Sequence, residues 1–96
     1  MILLSLLIKK DYYGYELIET IKEESGGYIQ FKEGTLYPAL KKLEETNLAK
    51  SYWKDSFEGP KRKYYYATKE GKRMMDHYLT DWEQFCKVIN NIVRKE

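Results

Sequence analysis

Ninety-six residues leave room for one domain and one modest core. The composition, 43% hydrophobic and 33% charged, is ordinary for a soluble protein, and the single cysteine, Cys86, excludes an internal disulfide and suits a reducing cytosol. The net charge of +2 says little, but its distribution says more: residues 1–31 carry −2, residues 32–73 carry +5 and residues 74–96 carry −1. A local basic segment attracts a polyanion even when the total charge is small.

Ile2–Ile8 is apolar except for Ser5. It is far too short to span a bilayer and lacks the basic leader and cleavage site of a signal peptide, so it is expected to be a buried first helix. Asp11 is placed to cap a second helix over about 13–24, with Tyr15, Leu17, Ile18 and Ile21 on its apolar face and Glu16, Glu19, Lys22 and Glu23 in water. Gly26-Gly27 ends it. Tyr28–Phe31 alternates and is expected to form a short strand.

The stretch EGTLYPALKKLEE (33–45) repeats Leu36, Leu40 and Leu43 at helical spacing, yet contains Pro38. With Thr35 as N-cap, Pro38 falls in the first turn, where its missing N–H costs nothing. This third helix then runs to about Glu45 or Thr46, and Asn47 stops it. Ala49–Asp55 and Lys61–Ala67 are strand-like and flank a turn at Ser56-Phe-Glu-Gly-Pro60, which makes a hairpin. Tyr64–Tyr66 alternate, so at least one ring packs inward. Thr68 caps a last helix over about 69–94, and Gly71 is tolerated near its start.

In that last helix Met75, Leu79, Trp82, Cys86, Ile89 and Val93 recur at heptad spacing, with Tyr78, Phe85 and Ile92 as a second row. A domain this small covers only part of such a surface. The alternative is that all of it is core, and self-association is the preferred reading. A parallel coiled coil and an exchange of contacts with the partner's first helix are both compatible with a two-fold dimer.

The element order gives the fold class: mainly α with a small β-hairpin, a winged helix-turn-helix over 1–68 followed by a dimerisation helix over 69–96. Such modules insert the N-terminal end of the later helix into the DNA major groove. Thr35, Tyr37 and Pro38 would meet base edges there, with Lys41 and Lys42 reaching phosphates along the shaft. Lys61, Arg62 and Lys63 on the wing would meet phosphates or a minor groove; strand alternation keeps the three from all pointing the same way, and Lys61 and Arg62 are preferred to Lys63. His77 and Cys86 stand apart, so no metal site, cofactor or catalytic pair is expected. Trp53, at the wing base, is expected to pack in the core. Two rival readings keep the fold and change the function: a protein-interaction module with no operator, or a small-molecule sensor built on the aromatic helix face.

Four blocks, YGYELIETI (13–21), EGTLYPALKKLEETNLAKSYW (33–53), EGPKRKYYYATKEGK (58–72) and the DWEQF helix, closely resemble the PadR family of bacterial transcriptional regulators. The match covers about residues 2–93 and is similar to the small subfamily with a single C-terminal helix. Family members usually carry more residues ahead of the first helix. The resemblance implies a cytoplasmic homodimer, usually a repressor, on a palindromic operator of double-stranded DNA, with the C-terminal helix packed across the dimer. It implies that Gly34–Leu40, Leu36 included, inserts in the major groove, that Tyr15 lies near the DNA backbone and that Gly59 and Pro60 form the wing tip. Some small members bind aromatic or planar cationic compounds at the dimer interface. The resemblance places Trp82 in such an effector pocket, lined by Phe85, Leu4 and Ile8. An effector there would alter the spacing of two recognition helices set about one DNA turn apart, on the order of 34 Å.

Overall fold

Leu3, Leu4, Leu6 and Leu7 put four buried leucines into two turns of α1 (Ile2–Lys9), which makes it the hub of the core rather than an outer helix. The computed structural model describes residues 1–95, so the final residue of the expected 69–96 segment lies outside them. After α1 come β1 (Tyr12–Tyr13), α2 (Gly14–Glu24), α3 (Glu33–Glu45), β2 (Ala49–Ser56), β3 (Gly59–Ala67) and α4 (Lys69–Val93). α1 packs on α4 and β3, while α2 and α3 pack on each other and α3 on β2. Leu4, Leu17, Leu36 and Leu40, from three helices, are the largest fully buried side chains. Each such leucine contributes about 1.5–3 kcal/mol through burial.

The sheet is antiparallel with order β1-β3-β2. Its third strand is not the expected Tyr28–Phe31 but Tyr12–Tyr13, which pair with Tyr65 and Tyr64. Tyr28–Phe31 has no strand partner among the described residues. The Ser25 hydroxyl accepts from the Ile29 N–H at 2.9 Å, and Ile29 and Phe31 tuck against the core as a linker. Gly26 and Gly27 have φ of +62° and +83°, and the Gly27 N–H closes on the Lys22 carbonyl at 2.7 Å, so the glycine pair does end α2.

Two capping expectations change. Asp11 does not cap α2. Its carboxylate accepts from the Tyr52 hydroxyl at 2.6 Å, and the cap position belongs to Tyr13, whose N–H donates to Glu16 Oε1 at 3.2 Å. Tyr15 is exposed, not on the apolar face of α2. α3 starts three residues earlier than Thr35 allows, with Lys32 at the N-cap, so Pro38 lies in the second turn and deprives the Gly34 carbonyl of its helical donor. Gly34 stands in open, exposed surroundings, where water can serve that carbonyl. The C-terminal stop at Asn47 holds: its φ is +60°.

The hairpin tip is Phe57-Glu58; Ser56 pairs with Gly59, which places Gly59 and Pro60 in β3. Thr68 caps α4 as expected, accepting from the Gly71 N–H at 3.0 Å. Gly71 is more than tolerated. A Cβ there would run into the Leu48 carbonyl oxygen and come within 3.2 Å of Leu4 Cδ2, so α4 needs a glycine to lie this close to the end of α3.

Candidate nucleic-acid interface

α3 is fixed by one buried edge and offers the other. Leu36 and Leu40 anchor it in the core, with Leu43 half-buried, and Thr35, Tyr37, Pro38, Lys41 and Lys42 are exposed. Leu36 is 1% exposed, so it holds the helix and cannot itself reach into a groove. The N-terminal end of α3 carries free-standing Gly34 and Thr35, a small polar tip able to approach a base edge closely.

Tyr37 links α3 to α2. A Cβ on Gly14 would sit 2.5 Å from the Tyr37 hydroxyl oxygen and 2.8 Å from the ring carbon that bears it. The absence of a side chain at Gly14 therefore seats the phenol against the first turn of α2. Tyr37 remains 45% exposed there, with exposed Tyr15 beside it.

The wing completes the surface. Lys61 is exposed and lies 3.9 Å from Asp55. Arg62 is exposed and covers the Tyr13 ring, 4.5 Å from its centroid. Lys63 is half-buried and drawn to Glu44 of α3 at 3.6 Å. These residues, with Gly14, Tyr15, Tyr37 and Trp53, line an open cleft of about 460 Å³ between the start of α2 and the wing. Trp53, expected in the core, is 65% exposed: it shares a sheet face with buried Tyr65 and Tyr12 but pairs with Lys63, one step farther out along the hairpin than the Ser51–Tyr65 pair. Tyr65 is the ring of the Tyr64–Tyr66 run that packs inward, and burial raises its phenol above the ordinary range.

On the opposite sheet face Tyr52 stacks on Tyr64, with Tyr13 edge-on to Tyr64. The hydrogen bond to Asp11, followed by desolvation and neighbouring charge, pushes Tyr52 up to about 12.

α4 leaves the body after its first turns. Met75 is buried and Tyr78 half-buried, while Leu79, Trp82, Phe85, Val88, Ile89, Ile92 and Val93 are exposed and Cys86 is half-buried. Trp82 stacks on Phe85 with centroids 6.0 Å apart. Leu4 and Met75, expected at a dimer interface, lie in the protomer's own core, and Leu4 at 0% exposure cannot line an effector pocket. Val88 extends the apolar face beyond the predicted rows, on the far side of Tyr78, Phe85 and Ile92. Among the described residues no helix is long and apolar enough to cross a membrane, and no group of three or more His, Cys, Asp or Glu side chains could hold a metal.

The family model of the PadR-like transcriptional regulators matches residues 3–77. A transcriptional regulator from Clostridium thermocellum is 39% identical, with 96% of this chain and 89% of that chain covered and a TM-score of 0.89. A PadR family transcription regulator from Clostridium difficile is 40% identical, with 96% and 94% covered and a TM-score of 0.84. An uncharacterised protein of Lysinibacillus sphaericus is 35% identical over 89 residues, 93% of this chain and 82% of that protein. PadR regulators bind DNA, generally as dimers, and are not enzymes. With four helices among the described residues, the last of them long, and a three-stranded antiparallel sheet, the chain belongs to the PadR-like family of transcriptional regulators.

Proposed function

We propose that this chain acts in the cytoplasm as a homodimeric repressor that binds a palindromic operator and is released by a small aromatic effector at the dimer interface. The 1–68 unit reads DNA, with Thr35, Tyr37 and Pro38 toward base edges and Tyr15, Lys41, Lys42, Lys61 and Arg62 toward phosphates. The 69–96 segment pairs the protomers. One observation carries the dimer and the effector together. Trp82 and Phe85 are stacked on each other yet 50% and 57% exposed, on a helix face that also exposes Leu79, Ile89, Ile92 and Val93, the kind of contiguous apolar patch that marks an interaction surface. A second protomer covering that face would close a site walled by four aromatic rings, two from each copy. A planar ligand wedged there changes the angle between the α4 helices, and with it the spacing of the α3 tips. A coupling of about 1–3 kcal/mol suffices to switch occupancy.

The test is fluorescence anisotropy with labelled duplex from upstream of the chain's own gene, against scrambled duplex, across a salt series. Wild type runs beside Tyr37→Ala and Lys41→Ala. The proposal expects selective binding that Tyr37→Ala relaxes, and a salt slope lower by about one for Lys41→Ala. Equal weak binding to both duplexes sends the question to selection from genomic fragments, and an empty selection refutes the operator.

A further inference from the structure

We propose that the cleft between the first turn of α2 and the wing seats a phosphodiester of the DNA backbone, with Trp53 as the side chain that grips it. The inference rests on the DNA-binding reading above and adds a contact outside it. Trp53 is 65% exposed on the sheet face shared with Lys61 and Lys63, farther out along the hairpin than the buried Tyr65 of the same face, so its indole is presented to the cleft and not to the core. Lys63 Nζ lies 6.0 Å from the indole centroid, and Lys61 and Arg62 line the same cleft. Asp55 and Glu44 face Lys61 and Lys63, and among the described residues no ion pair engages Arg62, so the cleft keeps a positive balance. On its opposite wall stand Tyr15 and Tyr37, the latter on the exposed edge of α3, so the cleft is continuous with the recognition surface.

The occupant follows from that chemistry. Three cations in one cleft select an anion, and the indole adds an apolar face with one N–H donor. A phosphodiester offers both complements at once: charged oxygens for the N–H and the cations, and a deoxyribose to lie against the ring. A small aromatic carboxylate would satisfy the cations too, and the test separates the two. Because a backbone contact carries no sequence information, losing it lowers affinity equally on operator and on unrelated DNA.

The chain has two tryptophans, so 5-fluorotryptophan labelling of the full protein gives two ¹⁹F resonances, with that of Trp53 assigned by its loss in Trp53→Phe. On titration with a scrambled duplex at low salt, the Trp53 resonance shifts; on titration with benzoate it does not. In anisotropy, Trp53→Ala binds operator and scrambled duplex about tenfold more weakly, with their ratio and the salt slope kept. A stationary Trp53 resonance on a duplex that the wild type binds overturns the assignment. So does a folded Trp53→Ala protein with wild-type affinity, and a shift with benzoate instead of duplex overturns the phosphodiester. Wild-type protein that binds no duplex, operator fragments included, overturns the DNA reading itself and this contact with it.

Discussion

Gly14→Ala separates the fold from the proposed recognition surface. The new methyl would lie 2.5–2.9 Å from the hydroxyl, Cζ and Cε1 of Tyr37, so the ring must retreat by about 1 Å to reach ordinary contact. It can do so cheaply, because Tyr37 is 45% exposed and the clashing atoms are the far end of its side chain. In the first turn of α2 alanine is also the better helix former, by up to about 1 kcal/mol. The melting temperature should therefore hold or rise slightly. Operator affinity should fall, because a hydrogen bond to a charged or base-edge partner contributes about 1.5–3 kcal/mol and depends on placement, which corresponds to about tenfold or more. Thermal unfolding and duplex anisotropy on the same sample measure both. The double variant Gly14→Ala/Tyr37→Ala should bind no worse than Tyr37→Ala alone, since both changes remove one placement. Additive losses, or wild-type affinity in Gly14→Ala, would refute the argument that Gly14 seats Tyr37 for DNA.

Gly71→Ala should destabilise by about 1–3 kcal/mol in urea unfolding despite alanine's better helix propensity, because its Cβ meets the Leu48 backbone oxygen, which cannot swing aside. Tyr52 titrates near 12 in the folded chain against about 10 in an unfolded one, so the folded state holds its proton more tightly. The stability contributed by the Asp11 bond is fully present below pH 10 and is lost as pH rises through 12; Asp11→Asn should bring a phenol titration, followed by ultraviolet absorbance, down toward the ordinary range. Ile89→Asp, on the exposed apolar face of α4, should leave the far-ultraviolet circular dichroism unchanged and shift sedimentation from dimer to monomer.

Periodicity and end signals made most of the fold legible. The leucine spacing of α3, the Gly26-Gly27 stop, Asn47 and the Thr68 cap each act through local chemistry that a sequence displays. What was illegible depended on partners remote in sequence. Tyr12–Tyr13 become a strand only because β3 presents Tyr64 and Tyr65 to them, some fifty residues on. Asp11 is drawn from a helix cap by a hydroxyl 41 residues away. Trp53 looks like core by its hydrophobicity, and it even shares a sheet face with buried Tyr65; only its place opposite Lys63, farther out along the hairpin and past the helices, makes it surface. Of the candidate site, the exposed edge of α3 was readable as a helical stripe. The cleft was not, because its walls come from α2, α3 and the wing.

The joint between α3 and α4 bears on how a change at the proposed dimer helix would reach the proposed DNA surface. The Thr68 hydroxyl donates to the Asn47 carbonyl at 2.7 Å while accepting from the Gly71 N–H, and the Thr68 N–H donates to the Leu48 carbonyl at 3.0 Å. Leu48 in turn donates to the Leu43 carbonyl at 2.8 Å. The last turn of α3 is thus bonded through two residues to the first turn of α4, with Gly71 allowing the backbones to touch. Such a joint would carry a rotation of α4 into α3, where a flexible linker would absorb it. Thr68→Val keeps the shape and removes both hydroxyl bonds, at a cost of about 1–2 kcal/mol for the cap and the orphaned carbonyl. If the joint transmits, the variant should still dimerise and bind operator, but a ligand that releases wild type should release it by a smaller factor. Full wild-type release in a variant with a proven loss of stability would show that coupling runs through the packing of α1 against α4 instead.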